Sequence, residues 1–176
     1  MQWLNKGSFR KKTLVSCTSL LIITALSVVG VSASGNIVPT MTSNTNPLGT
    51  AYASSEWATH EAYKAFDHND STYWSTSSGV YGELRYSFTS QKKVKSYTLR
   101  TSSEPLGNVP NKWTLQGSNN NGSWVILHTE DNYHYPNFTY TFNNVNNSYY
   151  DRYRLVFTAN NGAYSTSVAE VQFFEE

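Results

Sequence analysis

Cysteine is almost missing: the 176 residues contain one, Cys17. It lies in an apolar N-terminal stretch that reads as an export signal, so the remainder carries no thiol. That excludes disulfides, a cysteine nucleophile and any thiolate metal site beyond residue 33. The motifs of common catalysts are absent as well. His60, His68, His128 and His134 have no HExxH-type spacing, and there is no GxSxG elbow, P-loop or dinucleotide-binding glycine pattern. On this basis the chain is expected not to be an enzyme.

The N-terminus supplies a basic cluster (Lys6, Arg10, Lys11, Lys12), an apolar core from Leu14 to Val31, and the small-residue step Val31-Ser32-Ala33. This order is that of a secretory signal peptide cleaved before Ser34. Residues 1–33 are therefore assigned to the signal, residues 34–176 to a single domain, and the mature protein to the extracellular space. Four of the thirteen basic residues fall in the signal. Nine remain against twelve acidic residues, a net charge of −3. A nucleic-acid partner, which needs a basic face, is not expected.

Aromatics are plentiful, with 5 Trp, 13 Tyr and 8 Phe, and they set the period. From Ala33 to about Thr59 the chain reads as a surface leader. A helical turn is expected near Glu56 to Ala65. Beyond Trp74 the apolar positions alternate: Leu84, Tyr86 and Phe88; Tyr97 and Leu99; Trp113 and Leu115; Phe138, Tyr140 and Phe142; Tyr153, Leu155 and Phe157; Ala169, Val171 and Phe173. Trp124 to Leu127 is a continuous apolar run, as in a strand buried on both faces. Seven or more short strands divided by Asn, Gly, Ser and Pro clusters predict an all-β fold, an antiparallel β-sandwich or jelly roll. Trp74, Trp113 and Trp124 are expected in its core.

Three segments carry a recognisable pattern. They are Ala65-Phe66-Asp67-His68-Asn69-Asp70-Ser71-Thr72-Tyr73-Trp74; Trp113-Thr114-Leu115-Gln116-Gly117-Ser118-Asn119 with Gly122-Ser123-Trp124; and Arg152-Tyr153-Arg154-Leu155 with Ala169-Glu170-Val171. In this order they resemble the discoidin, or coagulation factor 5/8 type C, domain, which is similar to bacterial family 32 carbohydrate-binding modules. The resemblance covers roughly residues 36 to 174 and implies the galactose-binding-like fold. It also implies a structural Ca²⁺, held in a cage of hard oxygens. The ligands it implies are the Asp67 carboxylate, the Thr72 hydroxyl and carbonyl, and the carbonyls of Lys64 and Asn69. Glu170 and the carbonyl of Ala169 close the site from the last strand, where alternation sets Glu170 opposite the face of Ala169, Val171 and Phe173. Relatives usually have Gly at the position of His68.

The function implied is non-catalytic recognition of a glycan by loops at one end of the sandwich. An aromatic stacks on the sugar while polar side chains bond its hydroxyls. Trp57, His60, Arg100, Glu104, Asn108 and Tyr164 are the candidates. Trp57 serves equally as an end plug, and Arg100 serves equally as a surface partner of Glu83 or Glu104. The rival reading is adhesion to a protein or membrane-lipid surface through loop tips at Val80 and Tyr81, or at Tyr133 and Tyr135. The negative mature charge disfavours anionic lipid.

Overall fold

The structure is a computed structural model that describes residues 35–120 and 122–175. The signal assignment lies outside the described residues. Among the described residues nine strands follow in chain order: β1 (Thr50–Ala53), β2 (Trp74–Ser75), β3 (Gly82–Lys92), β4 (Ser96–Thr101), β5 (Pro110–Ser118), β6 (Val125–Asp131), β7 (Thr139–Phe142), β8 (Tyr150–Asn160) and β9 (Ser167–Phe174). They form two antiparallel sheets, one ordered β1-β3-β8-β5-β6 and the other β2-β9-β4-β7. This is the expected β-sandwich.

Alternation explains the core. Leu84 and Tyr86 of β3, Tyr153, Leu155 and Phe157 of β8, and Trp113 and Leu115 of β5 face inward from the larger sheet. Tyr97 and Leu99 of β4, and Val168, Val171 and Phe173 of β9, face them from the smaller one. Buried aromatics keep their polar tips paired. The Trp113 indole N–H donates to the Tyr97 hydroxyl (2.9 Å), Trp74 donates to the Ser55 carbonyl (3.0 Å), and Tyr153 donates to the Lys92 carbonyl (2.6 Å). Burial pushes the Tyr86 and Tyr153 hydroxyls up to about 12, so both stay protonated donors.

Several expectations are corrected. The leader contains a strand, β1, that pairs with β3, and it buries Val38, Met41 and Ala51 in the core. Its scattered apolar residues gave no period to read. The helical turn shrinks to one 3-10 turn, Ala62–Ala65. The Trp124 to Leu127 run is not doubly buried. β6 is an edge strand bonded only to β5, Ile126 is 61% exposed, and Trp124 is half-buried beneath the Arg154 guanidinium at 4.1 Å. Phe138 precedes β7 and is exposed.

The phase of β9 also differs from simple alternation. Arg100 of β4 pairs with Glu170, yet the next residue, Thr101, pairs with Val168, which leaves Ala169 as the extra residue of a bulge. Val168 and Val171 can both join the core across this slip, and Ala169 does not share their cluster. The bulge therefore takes Ala169 out of that cluster, although both it and Glu170 stay buried.

Candidate functional site

Two loci emerge, and β2 links them. In the first, the loop after the 3-10 turn folds on itself. The Asp67 carboxylate accepts from the Asn69 N–H (3.0 Å) and from the Thr72 hydroxyl (2.7 Å), and the Asn69 carbonyl accepts from the Thr72 N–H (3.0 Å). His68 takes the left-handed conformation, φ 57°, that glycine would adopt without strain. Its ring is tied down by Thr40 (2.9 Å) and Asn36 (2.7 Å), and its N–H donates to Glu170 Oε2 (3.1 Å). Packing of the leader segment thus holds a bulky residue in a glycine conformation.

Glu170 is the anomaly of this locus. It is 3% exposed, and its Oε1 has no hydrogen-bond partner among the described residues. Burial first, and then the neighbouring Asp67 carboxylate, push it up to about 9. A buried carboxylate oxygen without a donor, facing a second carboxylate, is stabilised by a cation. Among the described residues no group of three or more His, Cys, Asp or Glu forms a metal cluster. The donor set here is instead two carboxylates with hydroxyl and carbonyl oxygens, which suits calcium. Lys64 belongs to the 3-10 turn, and its ammonium is turned to Glu61 (3.2 Å). Only its carbonyl is a candidate ligand.

The second locus is a cleft of about 330 Å³ lined by Trp57, His60, Tyr73, Ser75, Glu104, Asn108, Tyr164 and Ser165. Its assembly follows from local structure. Trp74 points into the core, so alternation turns Tyr73 and Ser75 to the opposite face, where both line the cleft and Ser75 stays buried. The Trp57–His60 turn pairs against β2 through the Trp57 N–H and the Ser75 carbonyl (2.9 Å). The His60 ring stacks on Tyr73, with centroids 4.1 Å apart, and bonds the Tyr73 carbonyl through Nδ1 (3.2 Å). A carbonyl only accepts, so Nδ1 carries the proton and Nε2 is left as the acceptor of the neutral ring.

The connection from β4 to β5 brings Glu104 and Asn108. The Tyr73 hydroxyl donates to Glu104 Oε1 (2.7 Å), and burial with that carboxylate pushes Tyr73 up to about 12. Asn108 donates to Ser165 Oγ (2.7 Å), and the Ala163 N–H reaches the Gly107 carbonyl (3.1 Å). A Cβ on Gly107 would stand 3.0 Å from that of Ala163, so glycine permits the two loops to meet. Asn160 braces the loop of Tyr164, donating to the carbonyl of Ser165 (2.8 Å) and accepting from the Gly162 N–H (2.9 Å). Trp57 and Tyr164 stand at the rim, 48% and 67% exposed.

Five of the six sequence candidates therefore share one cleft. Arg100 does not join them. Its pairing opposite Glu170 turns it to the other locus, where it meets Asp70 (2.9 Å), Asn137 (2.7 Å) and Thr139 (3.1 Å). Neither Glu83 nor Glu104 is its partner; Glu83 is held by Arg154 (2.6 Å). Tyr73, Ser75 and Ser165 were missed, although the alternation about Trp74 marks the first two. Among the rival loop tips, Tyr81, Tyr133 and Tyr135 are exposed, while the Val80 carbonyl is tied to the Thr166 hydroxyl (2.8 Å).

A search of curated proteins finds no match. Solved structures do resemble the chain. A family 32 module from Clostridium perfringens NanJ, in complex with galactose, has a TM-score of 0.64 at 22% identity, covering 72% of this chain and 93% of that one. A second C. perfringens module, CpGH89CBM32-5 in complex with GalNAc-β-1,3-galactose, gives 0.64 at 21% identity, covering 72% and 94%. Chitosan-binding module 1 of a Paenibacillus sp. IK-5 chitosanase/glucanase gives 0.64 at 22% identity, covering 80% and 98%. At these identities the likeness establishes the fold. Residues 64–151, half of the chain, match the factor 5/8 type C model described as NedA-like, galactose-binding domain, and the chain belongs to that family.

Proposed function

We propose that this protein is an exported, non-catalytic carbohydrate-binding module stabilised by calcium. The observation that carries the reading is the cleft, where two exposed aromatics rim a floor of polar side chains at one end of a rigid sandwich. Trp57 and Tyr164 offer faces to the C–H surface of a sugar ring, and His60, Glu104 and Asn108 offer hydrogen bonds to its hydroxyls. Glycoside hydrolysis needs a pair of carboxyl groups across the scissile bond. Glu104 is the single carboxylate among the described lining residues. Relatives of this fold were solved with galactose and with a GalNAc disaccharide, and another is chitosan-binding.

Calcium fits the other locus through the Asp67 and Glu170 carboxylates, the Thr72 hydroxyl and the carbonyls of Lys64, Asn69, Thr72 and Ala169. Bound there, it would neutralise the paired carboxylates and tie the loop to β9. Thr72 adjoins Tyr73, so the same tie would fix the floor of the cleft. A glycan array followed by titration calorimetry tests the binding reading. A single site should bind with a Kd of about 0.1–1 mM, roughly −4 to −5 kcal/mol. Trp57→Ala should abolish it. An array without hits, or a variant that binds as tightly as the parent, overturns the proposal.

A further inference from the structure

The charge of the cleft says which sugars it suits. Glu104 is the one carboxyl side chain among its described lining residues, and neither lysine nor arginine lines it. Among the described residues Glu104 has no ion-pair partner, whereas Glu61, Asp70, Glu83, Asp131, Asp151 and Glu175 each have one. The one cation that sequence spacing offered to the cleft, Arg100, is held at Asp70 instead.

The donors beside Glu104 are already engaged within the protein. The Tyr73 proton is already donated to Glu104, and an Asn108 N–H is donated to Ser165. The His60 Nδ1 proton is committed to the Tyr73 carbonyl. What remains near Glu104 is its carboxylate, the His60 Nε2 and the Asn108 Oδ1, while the Trp57 indole N–H and the Tyr164 and Ser165 hydroxyls stay available as donors to sugar hydroxyls. An acidic sugar would meet like charge here, with no fixed cation to offset it. A ligand with an ammonium group would supply both the missing charge and three donors. The rings of Trp57, Tyr73 and Tyr164 add faces that favour a cation.

We infer that the cleft selects a glycan with free amino groups, a 2-amino-2-deoxyhexose polymer, with the ammonium on Glu104 and a pyranose face on Trp57 or Tyr164. This rests on the glycan-binding reading and sharpens it. The test is calorimetry of the full chain with a glucosamine hexamer, its fully N-acetylated counterpart, galactose and a uronic acid oligomer. The glucosamine hexamer should bind at least fivefold tighter than any of the others. Glu104→Gln, which keeps shape and one acceptor, should weaken it about tenfold and erase the preference, with an unchanged melting temperature. Binding should also weaken as the pH rises through the amine's pKa, roughly 8 by analogy with an α-amino group.

Two results overturn the assignment. If the acetylated hexamer or galactose binds as tightly and Trp57→Ala abolishes it, the amino-sugar inference fails and the glycan reading stands. If none of the four sugars binds, both fail.

Discussion

Glu170 should make the protein's stability respond to calcium and pH together. Its folded value of about 9 lies above the ordinary carboxyl value of 4.5. Without metal, the native state therefore holds a proton that the unfolded chain releases. The associated stability is full below about pH 4.5 and is lost as pH climbs toward 9. At full difference the slope is a little over 1 kcal/mol per pH unit, so passing from about pH 5 to pH 7 costs roughly 3 kcal/mol. For a domain of this size that is a fall in Tm on the order of 10 °C.

Calcium bound as proposed would replace the proton, and at a hundredfold excess over its Kd it would contribute about 3 kcal/mol. Differential scanning calorimetry in EDTA and in calcium, from pH 5 to 8, reads both effects. The EDTA series should slope downward and the calcium series should be nearly flat. Glu170→Gln keeps an acceptor for the His68 N–H and cannot ionise. In EDTA at pH 7 it should melt several degrees above the parent, and calcium should leave it unmoved. A parent Tm that is flat with pH and indifferent to calcium, beside an unchanged variant, would refute the reasoning.

Other expectations are simpler. Arg100→Ala should leave glycan affinity unchanged, because Arg100 is engaged by Asp70, Asn137 and Thr139; a tenfold loss of binding would return it to the cleft. Gly107→Val should push the Glu104 and Tyr164 loops apart and weaken binding at least fivefold, read by calorimetry, with a modest loss of Tm. Gly117→Ala would set a Cβ 2.5 Å from the Tyr150 ring. Overpacking of this kind costs about 1–3 kcal/mol, measurable as a lowered denaturation midpoint. On the acid side, burial holds His128 and His134 below the ordinary histidine value of 6.5. The unfolded chain takes up those protons first, so stability is lost as pH falls below about 6.5. His134→Phe should blunt that loss in urea titrations.

Much of the fold was legible because strand alternation is a local property. Tyr86, Tyr97, Trp113, Tyr153 and Phe157 are buried where the period of two put them. Edges and slips were not legible. Ile126 reads as core by hydrophobicity, yet it lies on an outer strand, and strand order is decided by partners distant in sequence. Ala169 reads as in phase with Val171 until the bulge opposite Arg100 and Thr101 is seen. β1 was hidden because it is only four residues long, Thr50 to Ala53, and buries just Ala51, and its pairing with β3 supplies what periodicity did not.

The sequence by itself determined the all-β class, the aromatic core and the residue types at both loci, since these follow from side-chain chemistry and short-range period. Tertiary structure alone decided which of those residues meet. It brought Trp57, His60, Glu104, Asn108 and Tyr164 from three connections to one cleft and added Tyr73, the residue just before β2. It sent Arg100 to Asp70, because a register fixed across two strands dictates the face on which a long side chain emerges. It also buried Glu170 near Asp67, and only that burial lifts an ordinary carboxyl group to about 9.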